Sequence, residues 1–251
     1  MSIKNVDKSR MTGILIWNKC NYKFSQEIGY PDYPLLYPNT TCPFNCIFTH
    51  DREFEMNAST ILFFIHGFCP MDEWPQNRGV DQNYMMYTVE CPTETLRYYN
   101  RKLLTDKFFN SSATYRIDSS VFMPYDALTR ITQITPKEYI WDQKEVLAKV
   151  KRRDNLTRKI GELVKIDAVG YCFGIEYTKE RYESEIENHM FYLALENNIC
   201  HNYVTEKFWN SLRSLTVPVV FSRSVFEGMD VPSNAFIALD DFKSVMNWLH
   251  I

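Results

Sequence analysis

Short apolar runs alternate with polar, helix-like stretches throughout the second half of the chain, and this alternation limits the fold more than any other feature. The runs predict strands at 146–150, 165–169, 191–195 and 217–221, and the stretches that follow them predict helices at 155–164, 178–188, 205–215 and 240–249. Strands that alternate with helices form βαβ units, whose strands are parallel. Right-handed crossovers then bring the carboxyl ends of these strands to one edge of the sheet, where ligands bind.

The first half of the chain contains two further apolar runs of strand length, at 61–65 and 84–89. Polar residues or Pro and Gly bound each run, so we expect buried strands there. Residues 121–124 are expected to be the last structured segment of this half. The forty-odd residues after Trp17 are rich in Tyr, Pro and Asn and are predicted to be loops.

Residues 129–141 carry Thr, Pro and Lys without a clear period, and they are the best candidate for a linker. A chain of 251 residues is long enough for two small domains or one large one. We therefore predict an α/β protein with two domains, 1–130 and 131–251.

The charge and hydropathy of the chain exclude several classes of protein. There are 28 Lys and Arg against 31 Asp and Glu, a formal net charge of −3, so we expect no nucleic-acid partner, which would favour a basic excess. The longest apolar stretch, at 61–68, is far shorter than the roughly 20 residues of a membrane-spanning helix. No apolar segment follows the charged N-terminus, so no signal peptide is predicted.

The seven cysteines are an odd number, and only Cys42 and Cys46 lie close together in the sequence. No second Cys or His pair accompanies them at zinc spacing, so no metal site is expected. Disulfides and buried thiols both remain open for these residues. Four N-glycosylation sequons favour a secretory lumen, and they begin at Asn39, Asn57, Asn110 and Asn155.

The stretch 195–209 is the most informative part of the sequence. It leaves a predicted strand and enters a predicted helix, for which Thr205 is a plausible N-cap. Glu206 and Lys207 then lie in the first turn. A helix N-terminus beside a Lys favours an anion, because both the dipole and the amides attract negative charge. The alternative is a capped surface helix with an ordinary ion pair.

A basic cluster at 149–153, followed by Arg158 and Lys159, is a second candidate anion site. Clustered cations beside a strand end can clamp a diphosphate, although a solvated helix face is the alternative. No Asp-x-Asp, Walker A or Gly-x-Gly-x-x-Gly pattern occurs. The lack of Asp-x-Asp argues against a carboxylate-bound metal that holds a nucleotide diphosphate.

Glu90 lies at the end of a predicted strand in the first half, directly before Cys91 and Pro92. A carboxylate where a buried strand meets a Pro turn is a candidate general base facing a cleft. A solvating group at a strand end is the alternative for this residue. His66, His189 and His201 show no metal-ligand spacing and are expected to be structural or exposed.

Several segments resemble, in order along nearly the whole chain, the signature of the α1,3/α1,4-fucosyltransferases, glycosyltransferase family 10. The segments are 90–92, 109–118, 121–125, 166–170, 191–197, 203–209, 217–220 and 235–242. The resemblance implies a GT-B-like fold, in which two Rossmann-like halves flank a cleft. The N-terminal half of such a protein holds the acceptor, and the C-terminal half holds the nucleotide sugar. An invertebrate-type member, shortened at both ends, is the form we expect.

The resemblance also implies an inverting transfer of fucose from GDP-fucose to an N-acetylglucosamine hydroxyl of a glycoprotein or glycolipid glycan. By position, Glu90 matches the catalytic base, and Arg153 matches the Arg that contacts the diphosphate. The other donor-pocket matches are Asn197, Tyr203, Glu206 and Lys207. Fixed cations do the work of a metal in this scheme, so no cofactor is expected and a divalent metal would at most stimulate. Family members are single-pass type II proteins of the Golgi lumen, so that location is expected, with the membrane anchor missing from this chain.

The chain departs from the family pattern in four respects. The loop before Arg153 is shorter, Ser120 stands where the family has a second Asp, and the N-terminal anchor and the C-terminal helices are missing. These differences raise an alternative, an inactive or truncated relative that binds glycan or nucleotide without turnover. The acceptor stays open among lactosamine, LacdiNAc and the N-glycan core, because acceptor choice depends on variable loops.

Overall fold

The computed structural model describes residues 12–18, 46–67, 69, 71, 73–100, 102, 104–105, 107–128, 130–135, 137, 140, 178, 184–186 and 188–242. The chain divides into two compact units, Met1–Met123 and Pro124–Ile251.

The first unit is built on a six-stranded sheet in which all neighbouring strands are parallel. Its strands are β1 (Thr12–Ile16), β2 (Cys46–Thr49), β3 (Thr60–Phe64), β4 (Asn83–Thr88), β5 (Ser111–Thr114) and β6 (Val121–Phe122). They lie in the order β2-β1-β3-β4-β5-β6. A 3-10 helix at Arg52–Asn57 precedes β3, and helix α1 (Pro92–Tyr98) follows β4. The predicted α/β class is confirmed.

The two strands predicted in the first half are confirmed as β3 and β4, each starting and ending one residue earlier than expected. Strand β6 lies within the stretch predicted to close this half. Strand β2, however, lies in the segment predicted to be loops, because its four residues do not stand out from the Tyr- and Pro-rich surroundings. Strand β5 was missed since its sequence, Ser-Ser-Ala-Thr, has no large apolar side chain.

Strand β3 is buried on both faces, as the central strand of a parallel sheet should be. Its Phe63 packs on one face at the centre of an aromatic cluster, with ring centroids 5.2 Å from Tyr84, 5.5 Å from Phe108 and 6.0 Å from Trp17. Phe64 packs on the opposite face in a second cluster. Each such aromatic pair contributes about 0.5–1.5 kcal/mol beyond its buried area, so the carboxyl end of β3 rests on a rigid base.

Asn18, just beyond the end of β1, fixes the carboxyl end of β3. Its side-chain amide donates to the Phe64 carbonyl at 2.8 Å and to the Cys69 carbonyl at 3.1 Å, while its oxygen accepts from the Phe64 amide at 2.9 Å. All of these groups are buried. The Tyr99 hydroxyl, which follows helix α1, also donates to the Cys69 carbonyl. These bonds determine where the chain goes immediately after β3.

The second unit contains a three-stranded parallel sheet, β7 (Phe191–Leu193), β8 (Val217–Val220) and β9 (Ile237–Ala238), in that order. Helix α2 (Glu206–Arg213) connects β7 to β8. Two 3-10 helices follow the later strands, at Arg223–Phe226 and Leu239–Asp241. Phe208 and Trp209 of α2 are buried in a core that also contains Phe226 and Phe236.

Strands β7 and β8 and helix α2 confirm three predicted elements of the second half, although each is shorter than expected. The predicted elements at 146–150, 155–164 and 165–169 lie outside the described residues. Of the helix predicted at 178–188, residues 184–186 and 188 are helical. The prediction of a helix at 240–249 is wrong for its first two residues, Asp240 and Asp241, which end a 3-10 helix. Strand β9, with two residues, was too short for the pattern to indicate.

Candidate active site

Lys207 lies in the first turn of α2, with its ammonium surrounded by oxygen atoms. Its Nζ is 3.1 Å from Glu196 Oε2, 3.2 Å from Thr205 Oγ1 and 3.4 Å from Glu206 Oε1. The predicted N-cap is confirmed, since the Thr205 hydroxyl accepts from the Lys207 backbone amide at 3.5 Å. The cation therefore occupies the positive end of the helix dipole, where an anionic ligand would be favoured.

The electrostatic balance at Lys207 favours its charged form. Burial of the ammonium lowers its pKa, but the carboxylates of Glu196 and Glu206 outweigh burial, so the pKa of Lys207 is raised above its ordinary value. Lys207 is thus a cation throughout the physiological pH range. It can attract a phosphate, but it cannot act as a general base.

Glu196 follows the carboxyl end of β7 and binds the beginning of α2. Its carboxylate accepts from the Thr205 backbone amide at 2.8 Å and from the Thr205 hydroxyl at 2.8 and 2.9 Å. Only 11% of its side chain is exposed. Sequence reasoning missed this residue, because nothing in the linear spacing of nine residues between Glu196 and Thr205 indicates that they meet.

Tyr203 is buried and lines a small depression beside Glu196, with its ring 6.2 Å from that of Tyr125. The enclosed volume is about 20 Å³, enough for roughly one water molecule. The side chains around it are mostly apolar. They include Ala194, Val204, Phe208, Val220, Phe221, Val225 and Phe226.

The other predicted donor residues differ in placement. Asn197 and Glu206 are exposed, beside Glu196 and at the first position of α2 respectively. Arg153, together with the basic cluster at 149–153, lies outside the described residues. The structure thus brings Tyr203, Glu206 and Lys207 to the same end of α2, next to a carboxylate that the prediction did not include.

Polar residues also follow β8 and β9 at the same edge of this sheet. The Ser222 hydroxyl donates to Asp240 Oδ2 at 2.5 Å, and the Arg223 amide donates to Asp240 Oδ1 at 3.0 Å. The Arg223 guanidinium binds Asp241, with Nε 2.9 Å from Oδ1. This hydrogen bond from Arg223 lowers the pKa of Asp241. The edge is therefore polar at each of its three strands.

In the first unit, Glu90 lies just beyond the end of β4, as predicted, and His66 lies just beyond the end of β3. His66 Nε2 is 3.7 Å from Glu90 Oε1, and both side chains are about four-fifths buried, with 22% and 21% exposed. The Glu90 amide donates to the Thr88 hydroxyl at 3.2 Å. His66 was expected to be structural or exposed. Its contact with Glu90 could have been inferred only from the pairing of β3 with β4.

A buried phenol lies near Glu90. Burial raises the pKa of Tyr115 to about 12, the Arg116 cation opposes this change, and the Glu90 carboxylate adds to it. Tyr115 therefore stays protonated at neutral pH and can donate a proton in a hydrogen bond. Arg116 is engaged by Asp118, with Nε 2.7 Å from Oδ1.

A cavity of about 280 Å³ opens beside His66. Its wall contains three aromatic side chains and several polar groups, and it is formed by His66, Gly67, Cys69, Met71, Trp74, Tyr98, Tyr99 and Asn100. Tyr98 lies directly against Gly67, where an added Cβ would be 2.3 Å from the Tyr98 ring. Aromatic faces with adjacent polar groups suit a small polar ligand with apolar faces.

The sequence left disulfides and buried thiols open, contained four sequons and predicted no metal site. Cys69, Cys91 and Cys200 are disulfide-bonded. The sequon residues Asn57 and Asn110 are exposed, whereas Asn39 and Asn155 lie outside the described residues. Within the described parts of the chain, no group of three or more His, Cys, Asp or Glu residues is placed to hold a metal ion. No helix among those parts has both the length and the apolar character to cross a membrane.

The parallel sheets and the polar residues that follow their strands define a class. Mixed α/β architecture with a six-stranded parallel sheet is consistent with a GT-B-like glycosyltransferase fold. The sequence comparisons agree with this class. Residues 9–126 match the fucosyltransferase N-terminal domain, and residues 137–250 match the C-terminal domain of glycosyltransferase family 10 (fucosyltransferase).

Curated relatives are similar over most of the chain. The α-(1,3)-fucosyltransferase fut-5 of Caenorhabditis elegans is 29% identical over 237 residues, covering 84% of this chain and 57% of the relative. The α-(1,3)-fucosyltransferase C of Drosophila melanogaster is 28% identical over 242 residues, covering 81% of this chain and 56% of the relative. The bovine 3-galactosyl-N-acetylglucosaminide 4-α-L-fucosyltransferase FUT3 is 27% identical over 250 residues, covering 92% of this chain and 64% of the relative.

These matches determine the family. The chain belongs to glycosyltransferase family 10, the fucosyltransferases. The resemblance noted in the sequence is confirmed. The chain spans less than two thirds of the length of each of these relatives.

Proposed function

We propose that this chain is an inverting α1,3-fucosyltransferase that moves fucose from GDP-fucose to an N-acetylglucosamine hydroxyl of a glycan. The observation that carries the proposal is the Lys207 ammonium, held at the N-terminus of α2 by Glu196 and Thr205. The family supports the reaction type, since the C. elegans and Drosophila relatives are named α-(1,3)-fucosyltransferases.

The donor chemistry requires stabilisation of a leaving diphosphate. As the bond from the fucose anomeric carbon to the phosphate oxygen breaks, negative charge grows on the GDP and positive charge grows on the sugar ring, as in glycoside hydrolysis. A fixed cation and the positive end of a helix dipole stabilise that developing negative charge. Lys207 and α2 supply both, and Arg153 is the proposed second cation. GDP is a good leaving group, so no general acid is needed.

The acceptor chemistry requires a base. In this proposal Glu90 removes the proton from the acceptor hydroxyl as its oxygen attacks the anomeric carbon from the face opposite the diphosphate. The product then has the inverted, α configuration. Support for this role comes from the position of Glu90 beyond the end of a parallel strand, partly buried and beside His66.

We assign the acceptor sugar to the cavity beside His66. A pyranose ring has apolar C–H faces and polar hydroxyl edges, which match the aromatic side chains of Trp74 and Tyr98 and the polar side chain of Asn100.

The donor scheme uses protein cations, and we therefore propose that transfer proceeds without a bound metal and that added divalent cations at most stimulate it. Transfer that persists in excess EDTA is the expected result. Loss of transfer in EDTA, restored by one divalent metal, would contradict this part of the proposal.

We further propose that the protein works in the lumen of the Golgi, as a glycoprotein. The disulfide bonds of Cys69, Cys91 and Cys200 need an oxidising compartment. The exposed sequons at Asn57 and Asn110 are accessible to glycosylation there. Membrane association would come only from an anchor segment.

Isothermal titration of GDP-fucose into the purified, folded chain without metal tests the donor site. We expect binding in the micromolar range, lost in Lys207→Ala and retained in Asp230→Asn, which removes an exposed charge from the same unit. No binding to the folded wild-type chain would contradict the proposal. Binding without transfer to any lactosamine, LacdiNAc or N-glycan core acceptor would instead indicate an inactive relative.

A further inference from the structure

The two carboxylates beside Lys207 are held very differently. Glu206 is 58% exposed and 3.4 Å from the ammonium, whereas Glu196 is 11% exposed and 3.1 Å from it. An exposed ion pair is screened by solvent and contributes little. The contact with Glu196 is therefore the one that restricts the ammonium.

Glu196 is itself fixed by the beginning of α2. The Thr205 amide and hydroxyl both donate to its carboxylate, at 2.8 to 2.9 Å. Hydrogen bonds to an ionised acceptor are roughly twice as strong as neutral ones. Because these bonds orient both carboxylate oxygens, Oε2 presents a fixed acceptor to the Lys207 ammonium.

Lysine needs such a support more than arginine would. Its ammonium is a point charge on a flexible four-carbon stem, and holding it in one place costs side-chain entropy. A site that binds a diphosphate has a higher affinity if this entropy is lost on folding, before the ligand binds.

We propose that Glu196 is the positioning residue of the donor site. It fixes the Lys207 ammonium against Thr205. When a phosphate oxygen binds the ammonium, it displaces the exposed Glu206. This inference rests on the proposed donor site, and it makes the contact between Glu196 and Lys207 a requirement for nucleotide binding.

A simple electrostatic view predicts the opposite effect. A negative charge near a diphosphate repels it, so removal of Glu196 should tighten nucleotide binding if the carboxylate does nothing else. If Glu196 positions Lys207, its removal should weaken nucleotide binding even though a repulsive charge is lost. The sign of the change therefore separates the two views.

Glu196→Gln is the most informative variant, because the amide oxygen can still accept from the Thr205 amide while the charge is lost. We expect a melting temperature close to that of wild type and GDP binding weakened about tenfold, the loss typical of one charge-assisted contact. Glu196→Asp is the second variant. It keeps the charge but retracts it by one methylene, so it should also weaken GDP binding, which a purely electrostatic role would not produce.

A second measurement reports on Lys207 directly. Reductive methylation with ¹³C formaldehyde allows the pKa of the Lys207 dimethylamine to be followed by NMR in the free protein. We expect a lower pKa in Glu196→Gln than in wild type, and a smaller decrease in Glu206→Gln. An unchanged titration in Glu196→Gln would show that Glu196 does not hold the ammonium, and it would overturn the proposed role.

GDP calorimetry with wild type, Lys207→Ala, Glu196→Gln, Glu196→Asp and the Asp230→Asn control distinguishes the outcomes. Failure of wild type to bind GDP would overturn the donor site itself, and this inference with it. GDP binding that is lost in Lys207→Ala, but unchanged or tighter in both Glu196 variants, would leave the donor site standing and overturn only the role of Glu196.

Discussion

Asn18 shows how a single buried amide determines the position of candidate active-site residues. It binds the backbone of Phe64 and Cys69 on either side of His66, the residue that contacts Glu90. Asn18 is 4% exposed, so water cannot replace these bonds without local rearrangement.

Asn18→Ala is expected to destabilise the chain by about 1–3 kcal/mol, the cost of leaving buried backbone groups without partners. Urea unfolding with the disulfides intact measures this change. Asn77→Ala, at an exposed position, is the matched control and should change stability by less than about 0.5 kcal/mol. Equal midpoints for the two variants would show that Asn18 is not the support described here.

At the residue scale, the sequence predicted the groups that local rules govern. Thr205 was predicted as an N-cap, and Lys207 as a cation in the first helical turn, because capping and dipole preferences depend on adjacent positions. Glu196 and His66 were not predicted as partners of Lys207 and Glu90. Those contacts join the ends of separate elements, and only the three-dimensional arrangement of the strands brings them together.

At the element scale, helix α2 depends on its first turn. It has eight residues, and isolated helices shorter than about 12–15 residues are marginal in water. Its stability must come from the buried Phe208 and Trp209, and from Thr205, which caps the helix and also donates to Glu196.

Thr205→Val should therefore destabilise the chain by about 1–2 kcal/mol through loss of the cap, and it should also weaken GDP binding because Glu196 loses a donor. Thr205→Ser keeps the hydroxyl and should retain most of the stability and of the GDP affinity. Thermal unfolding and calorimetry of the pair measure both effects. A Val variant with wild-type stability and affinity would refute the role of this hydroxyl.

Strands were predictable where an apolar run was long enough to stand out. β3, β4, β7 and β8 each contain such a run and were found within two residues of their expected ends. β5 and β9 were not predicted, because β5 has only small side chains, Ser-Ser-Ala-Thr, and β9 has only two residues. β5 pairs with β4 and β9 pairs with β8, so both strands reflect tertiary context more than local propensity.

At the scale of the whole molecule, buried tyrosines make the fold sensitive to alkali. Burial raises the pKa of Tyr87, Tyr99 and Tyr115, each to about 12, and all three lie in the first unit. Unfolded tyrosines ionise near 10, so between about pH 10 and 12 the unfolded chain binds fewer protons than the folded one. Stability is unaffected below this range and falls within it.

Absorbance at 295 nm, followed together with circular dichroism, measures this effect. Exposed tyrosines should ionise reversibly near pH 10, whereas Tyr87, Tyr99 and Tyr115 should ionise only at higher pH or on unfolding. Complete ionisation near pH 10 with an unchanged native spectrum would contradict the described burial.

The proposed activity of this chain is fucose transfer, with Lys207 serving the donor and Glu90 serving as base. The most direct measurement is a transfer assay with GDP-fucose and a lactosamine acceptor, in which GDP release and the fucosylated product are quantified for wild type, Glu90→Gln and Lys207→Ala. We predict an α-linked product with wild type, loss of transfer with retained GDP binding in Glu90→Gln, and loss of both in Lys207→Ala. No transfer by folded wild type that binds GDP-fucose, across lactosamine, LacdiNAc and N-glycan core acceptors, would contradict the claim.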